Sequence, residues 1–153
     1  MMRNDDYWMR LAIIVGQGNP SAPFGAVIVD SASNRECSRG VNQAHLDPTL
    51  HGEMVALRTF FNSSAPPQSG PLTLYTTAEP CPMCAAACCW ARVHRIVYGV
   101  SIPWLAEHGW RQIELRAETL LRATSESIAV DGGVLANDCA ELFVAAHRKP
   151  EDL

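Results

Sequence analysis

The sequence lacks three features that would each indicate a particular class of protein. It has no excess of basic residues, since 12 Lys and Arg against 16 Asp and Glu give a formal charge of -4, which argues against a polynucleotide substrate. It has no apolar run near the roughly 20 residues that cross a bilayer, and its start, MMRNDDYW, does not resemble a secretory signal. We therefore expect a cytoplasmic protein with no membrane partner, for which a nucleic-acid partner is unlikely.

The chain also has no need of disulfide bonds in order to fold. With 153 residues, 48% of them apolar and 18% charged, it can form one domain around its own core. Residues 1–153 are accordingly predicted to be a single domain. The six cysteines, at positions 37, 81, 84, 88, 89 and 139, are expected to be reduced thiols, and clustered thiols in a reducing compartment usually indicate metal binding or catalysis.

The pattern of apolar residues predicts strands that alternate with helices. A helix over 5–16 precedes an antiparallel pair of strands over 24–29 and 37–41. Further strands are predicted over 72–78, 95–100 and 127–133, and further helices over 51–61, 82–92, 115–123 and 134–148, with a short helical piece inside 102–110. This order of elements describes a mixed α/β sheet covered by helices on both faces.

Three potential metal ligands lie at the starts of two neighbouring predicted helices. Cys81 and Cys84 share one helical face, near amide dipoles that favour thiolates. His51 opens the preceding helix, and three protein ligands leave the fourth tetrahedral position free, which is typical of catalytic zinc. Because zinc with two thiolates is formally neutral and a weaker Lewis acid, we expect Glu53 to take a proton from the bound water and return it to the substrate and leaving group.

Two other interpretations of the cysteine pair remain open at this point. Cys-x-x-Cys between a strand and a helix is also typical of thioredoxin-like redox pairs, although that leaves His51 and Glu53 without a role. A closed structural zinc site would need a fourth ligand, and Cys88 lies on the same helical face but one turn away from the end that His51 must approach. Cys88 and Cys89 are expected to be small buried residues.

The motifs H-G-E (51–53) and P-C-P-M-C (80–84) match the H-x-E and P-C-x-x-C signature of zinc deaminases. Together with PFGAVIV (23–29), Asn42, DPTLHGEMVALR (47–58), LYTTAEPCPMC (74–84) and RIVYG (95–99), they give a chain that, over roughly residues 5–100, resembles the purine deaminase and tRNA adenosine deaminase branch of the cytidine deaminase superfamily. The resemblance implies a three-layer α/β/α cytidine deaminase-like fold with a five-stranded mixed sheet. It also implies Zn2+ held by His51, Cys81 and Cys84, proton transfer by Glu53, and attack of zinc hydroxide on the amino-bearing ring carbon with release of ammonia.

Four more residues are candidate substrate contacts. By the resemblance Asn42 hydrogen-bonds the substrate and Phe24 lies against the base, while the alternatives are a turn residue and a core residue. Gly52 stands where the family usually has Ala. Its backbone N–H could still contact a substrate carbonyl, and its missing side chain would leave room for a bulkier ligand. Trp90, in a Trp-Ala-Arg segment like that of guanine deaminases, could stack on a planar heterocycle or pack in the core.

These features favour hydrolytic deamination of a small nucleobase, with guanine as the lead candidate and a place in purine metabolism. A nucleoside, cytosine or an aminotriazine are rival substrates, tRNA adenosine deamination is a second function, and a zinc-stabilised interaction module that has lost its chemistry is a third. The acidic residue that guanine deaminases carry after the fourth strand has no clear counterpart in Trp110-Arg111-Gln112. Trp104, His108 and Trp110 suit either a pocket wall or a subunit interface, and the resemblance implies a homodimer.

Overall fold

Six helices and five strands alternate along the part of the chain that the structure, a computed structural model, describes, which is residues 2–63 and 70–147. In chain order they are α1 (Asp5–Gly16), β1 (Gly25–Asp30), β2 (Arg35–Val41), α2 (Gly52–Asn62), β3 (Leu72–Ala78), α3 (Pro82–Trp90), β4 (Val93–Val100), α4 (Ile102–Glu107), α5 (Ala117–Arg122), β5 (Ala129–Gly132) and α6 (Ala136–Ala146).

The five strands form one mixed sheet in the order β2-β1-β3-β4-β5. Strand β1 pairs antiparallel with both β2 and β3, whereas β4 runs parallel to β3 and to β5. Every residue of β1 and of β3 is buried, as expected for the central strands of a sheet that is covered on both faces.

Two apolar clusters lie on opposite faces of this sheet. Because side chains alternate along a strand, Val27 and Val29 of β1 join one cluster with residues of α1, α4 and α6, while Ala26 and Ile28 join the other with residues of α2, α3 and α5. The result is the three-layer α/β/α fold with a five-stranded mixed sheet that the sequence resemblance implied.

The elements differ from the predicted ones mainly at their ends. The last predicted helix begins at Ala136 because Leu135 has a left-handed backbone, with φ of 50°, and residue 148, its predicted end, lies outside the described residues. Helix α5 begins only at Ala117, because Arg116 has extended backbone angles. Strand β2 begins two residues early, at Arg35, where an edge strand can continue through polar residues.

The sheet brings the starts of α2 and α3 to one place. Strands β3 and β4 are parallel, and α3 begins directly after the turn that follows the carboxyl end of β3, where α/β proteins generally bind their ligands. None of the described helices is long and apolar enough to cross a membrane.

Candidate active site

The N-cap residue of each of two helices is a potential metal ligand. His51 is the N-cap of α2 and Cys81 is the N-cap of α3, both with extended backbone angles, and neither side chain makes a capping hydrogen bond. The side chains are thus free to face each other. The Nδ1 atom of His51 lies 3.4 Å from the Sγ atom of Cys81 and 3.7 Å from that of Cys84, one turn into α3.

These distances fit a tetrahedral zinc ion. With zinc bonds of about 2.3 Å to sulfur and about 2.0 Å to nitrogen, ligand atoms lie about 3.5 to 3.8 Å from each other. In residues 2–63 and 70–147, His51, Cys81 and Cys84 form the one group of three possible ligands, with all ligand atoms within 4.8 Å of one another. Cys88 is not a member, since its thiol lies in the core cluster beneath α2 and α3, so the group has the three ligands of a catalytic zinc site.

Hydrogen bonds within the group favour one thiolate. A bond from the Cys84 thiol and a second contact with His51 lower the pKa of Cys81 to about 4, despite its partial burial. The same bond to Cys81, together with burial, raises the pKa of Cys84 far above its usual range. The bond with Cys81 also raises the pKa of His51. Cys81 is therefore prepared as an anionic ligand, while Cys84 must give up its proton when a cation binds.

Glu53 is a buried carboxyl group beside these ligands, only 3% exposed. The hydroxyl of Thr76 in β3 donates a hydrogen bond of 2.8 Å to Glu53 Oε1, which fixes the side chain. Burial raises the pKa of Glu53, and the nearby Cys81 raises it further. A carboxyl group so perturbed, inside a cleft, is suited to accept and return a proton.

A cavity of about 440 Å³ lies directly above this group. Its floor includes His51, Glu53 and Cys81, and its walls come from four different parts of the chain. The lining residues are Phe24, Asn42, Pro48, His51, Glu53, Glu79, Cys81, Met83, Trp110, Arg111, Gln112 and Ile113.

Two aromatic rings form one side of the cavity. Phe24 and Trp110 meet edge to face with ring centroids 5.3 Å apart, and the fully buried Phe143 of α6 packs against both. Trp104 stacks on His108 at 3.8 Å and packs on the same cluster, and neither of them lines the cavity. Of the three aromatic residues left without a role by the sequence, Trp110 is thus the one that reaches the cavity.

Asn42 lies in the cavity wall and is also a turn residue. Its Oδ1 accepts a hydrogen bond of 3.0 Å from the N–H of Ala44, and its carbonyl accepts one of 2.9 Å from the side chain of Asn19. The turn bond fixes the orientation of the amide, whose Nδ2 group is a donor that a ligand could use.

Gly52 corrects one expectation drawn from the sequence. The space beside it does not accommodate a ligand, because a Cβ atom at this position would overlap the carbonyl oxygen of Phe24 and lie 3.3 Å from that of Gly40. Glycine is present because the start of α2 packs directly on the backbone of two strands. A bulkier ligand gains no room here.

Trp90 is the second correction. It is the last residue of α3, at the opposite end from Cys81, which at 1.5 Å per residue is about 13 Å along the helix. Its side chain is 87% exposed and does not line the cavity. It therefore neither stacks on a base in its own subunit nor packs in the core.

Sequence reasoning missed Glu79 altogether. This residue lies in the turn after β3, two positions before Cys81; it is buried and lines the cavity. The available signal was its position, since a polar residue at the carboxyl end of a parallel strand is a candidate site residue.

Comparison with known proteins agrees with this geometry. The family model for the cytidine and deoxycytidylate deaminase zinc-binding region matches residues 2–100. The guanine deaminase of Bacillus subtilis (strain 168) is 40% identical over 89 residues, which is 58% of this chain and 56% of that enzyme. The chain thus spans little more than half the length of this relative.

Two further similar proteins extend the match. The tRNA-specific adenosine deaminase of Haemophilus influenzae is 36% identical over 121 residues, covering 78% of this chain and 67% of that protein. A solved structure of guanine deaminase from Nitrosomonas europaea superposes with a TM-score of 0.79 at 21% identity, covering 97% of this chain and 87% of that one. At this identity the superposition supports the fold alone.

Proposed function

The chain belongs to the cytidine and deoxycytidylate deaminase zinc-binding family, and from this premise we propose that it hydrolytically deaminates a free amino-substituted nucleobase, with guanine as the lead substrate. The observation that carries the proposal is the group of three possible zinc ligands, His51, Cys81 and Cys84, together with Glu53, next to a cavity with an aromatic wall. Residues 1–153 act as one catalytic domain in this proposal.

The reaction replaces an amino group by a carbonyl. The oxygen of a water molecule bonds to the amino-bearing ring carbon, the bond from that carbon to the amino nitrogen breaks, and ammonia leaves. When bound by His51, Cys81 and Cys84, zinc supplies the positive charge that makes water a nucleophile at neutral pH. Glu53, in the position that its bond with Thr76 fixes, can accept one proton from the attacking water and pass it to a ring nitrogen. It can then carry the second proton, from the hydroxyl group added to the ring carbon, to the amino nitrogen, which leaves as ammonia while the carbonyl forms.

The cavity wall supports a planar heterocycle as substrate. Phe24 and Trp110 present apolar ring surface, on which a base can lie. The Nδ2 group of Asn42, which lies in the cavity wall with its amide oriented by the bond from Ala44, can donate a hydrogen bond to a carbonyl or ring nitrogen of the base. The N–H of Gly52 is a further candidate donor at the start of α2. The identity to a guanine deaminase supports guanine in particular.

Adenosine deamination in tRNA is the second candidate, because a tRNA-specific adenosine deaminase is 36% identical over a longer stretch. Such an enzyme needs a surface that binds phosphates, whereas this chain has a formal charge of -4. Inosine formation in a tRNA substrate, with binding that weakens steeply as salt increases, would favour this candidate over the free base. If the substrate is instead a nucleoside, cytosine or an aminotriazine, ammonia would be released from that compound and not from guanine when the compounds are assayed side by side.

We also propose that the protein is a homodimer of the cytoplasm. Helices α2 and α3 pack side by side, and exposed aromatic side chains lie near both carboxyl ends, Trp90 with 87% and Phe61 with 58% of the side chain exposed. A second copy would bury this apolar surface. Light scattering should find a dimer that Trp90→Arg converts into a monomer; a monomeric wild type would contradict this.

The cytoplasmic location is proposed from the cysteines. Six cysteines without disulfides suit a reducing compartment.

The direct test measures ammonia released from guanine, 2-aminopurine, adenine, cytosine, an aminotriazine and the matching nucleosides. Glu53→Ala should retain one zinc per chain and lose turnover by about 1000-fold or more, because it removes the proton carrier and leaves the ligands intact. Cys84→Ala is the matched variant that should lose zinc. If Glu53→Ala lost zinc as readily, Glu53 would be a ligand, and if the zinc-loaded wild type released no ammonia from any compound, the proposed function would be wrong.

A further inference from the structure

Glu79 connects the metal-ligand turn to the starts of two helices. Its carboxylate accepts hydrogen bonds from the N–H of Ile102 at 3.0 Å and from the N–H of Ala117 at 2.8 Å, which are the first residues of α4 and α5. The guanidinium of Arg116 donates to both carboxylate oxygens, at 2.9 and 3.1 Å. One buried group, two residues before Cys81, thus holds the first residue of α4 and the first residue of α5.

That connection is the outer wall of the cavity. Residues 110–113 line it, and the segment over 110–116 has no regular structure. Within the described chain, this segment makes three backbone bonds: Trp110 donates to Leu105 at 3.0 Å, Leu115 donates to Ile113 at 2.8 Å, and the carbonyl of Arg116 accepts from Leu120 of α5 at 3.1 Å. The wall is therefore held at its first residue by packing and at its far end by Glu79.

Arg116 is the cation that neutralises this buried carboxylate. Its side chain is 47% exposed, whereas that of Glu79 is 1% exposed. A second bond, from Arg116 Nη2 to the hydroxyl of Tyr98 at 3.0 Å, fixes the guanidinium against β4. The Nε–H of Arg116 is shared between the two oxygens of Glu79, and this charge-assisted contact together with the bond to Tyr98 holds residue 116 next to the turn that carries Cys81.

We propose that Glu79 and Arg116 are positioning residues that hold the 110–113 wall at a fixed distance from the metal ligands and thereby determine which base fits the cavity. The proposal rests on the proposed function, since it concerns the substrate of the same site. The wall contributes Arg111 and Gln112, whose hydrogen-bond donors suit a base edge with a carbonyl oxygen or a ring nitrogen. A wall displaced by even an ångström would weaken such contacts while Glu53 and the ligands stay in place.

The test compares Arg116→Ala with Arg116→Lys and with Arg122→Ala. Arg122 is a matched control, since it lies on α5 and pairs with the exposed Glu118. For the best substrate of the panel, Arg116→Ala should raise KM about tenfold and change kcat less than about threefold, with zinc content unchanged. Arg116→Lys should recover part of the loss, and Arg122→Ala should behave as wild type.

Two results would overturn the proposal. One is a fall in kcat at constant KM, and the other is an equal effect of Arg122→Ala. If Arg116→Ala folds poorly, Tyr98→Phe removes only the supporting bond and should change KM in the same direction by about twofold to threefold; an unchanged KM there would count against the pair.

Amide hydrogen exchange separates this proposal from the proposed function. Residues 110–113 should exchange faster in Arg116→Ala than in wild type, while peptides of α3 stay unchanged. Calorimetry with 8-azaguanine on the Glu53→Ala background should show a loss of affinity of about tenfold when Arg116→Ala is added. If no base is deaminated, the proposed function fails and the exchange result alone decides whether Glu79 and Arg116 position the wall; unchanged exchange would refute it.

Discussion

Replacing Gly52 with alanine has two opposing effects on stability: it raises the helix propensity of α2, and it introduces a steric clash beside the cavity. Alanine is favoured over glycine by about 1 kcal/mol in a helix interior, and by less at the first residue. The new Cβ atom, however, would overlap the carbonyl oxygen of Phe24. That oxygen also accepts a hydrogen bond of 3.1 Å from the N–H of Asn42. The backbone of two cavity residues must therefore move.

The magnitude follows from these opposing effects. Overpacking of a closely packed site costs about 1 to 3 kcal/mol, so the net free energy of unfolding should fall by about 1 to 2 kcal/mol. For a chain of this size that corresponds to a Tm lower by about 5 °C. Because Phe24 and Asn42 both line the cavity, KM should rise while the zinc content stays at one per chain.

Thermal unfolding of the zinc-loaded protein and steady-state kinetics test this prediction together. Thr59→Ala is the matched control, since Thr59 is exposed on the same helix and its replacement gains propensity without a clash. The control should be as stable as wild type or slightly more so. A Gly52→Ala variant that is stabilised, with KM unchanged, would refute the packing argument and show that α2 can shift freely.

Three further predictions concern stability. Asp5→Asn should cost about 1 kcal/mol at pH 7, because Asp5 accepts two hydrogen bonds of 2.8 Å from Arg95 and one from Tyr75. The bonds from Arg95 lower the pKa of Asp5 below its ordinary 3.8. Ionised Asp5 therefore stabilises the fold fully above pH 3.8, and the difference between variant and wild type in urea unfolding should shrink as the pH falls through the lowered pKa. Phe143→Ala should cost about 3 to 5 kcal/mol, since the fully buried ring supports Phe24 and Trp110; a loss below 1 kcal/mol in the same assay would mean that the cavity wall does not depend on it. Removal of zinc by a chelator should lower the Tm, and added zinc should restore it in a concentration-dependent way. If the Tm were the same with and without zinc, the metal would not contribute to the stability of the fold.

The strands, helices and metal ligands were predictable because their signals are local. Apolar periodicity and turn residues define the elements, and the spacing of Cys81 and Cys84 with a histidine at another helix start indicates zinc chemistry before any contact is known. The structure brings His51 to both sulfur atoms at zinc-ligand distances.

The cavity wall was not predictable in the same way, since it depends on contacts between distant residues. The sequence places Trp90 six residues after Cys84 and so predicts an aromatic residue near the site. The length and direction of α3 place it instead at the far end of the helix, where it is exposed. Gly52 reads as free space until the backbone of Phe24 is placed beside it. Glu79 and Arg116 are separated by 37 residues, and no spacing rule pairs them.

The metal-ligand group and the outer wall of the cavity come from different stretches of the chain. The groups that hold a metal or move a proton lie between His51 and Cys84, inside the region shared with the family, which ends at residue 100. The outer wall follows at 110–113 and rests on Phe143 of the last helix. Natural variation in the final third of the chain can therefore change the accepted base while the zinc motifs stay constant.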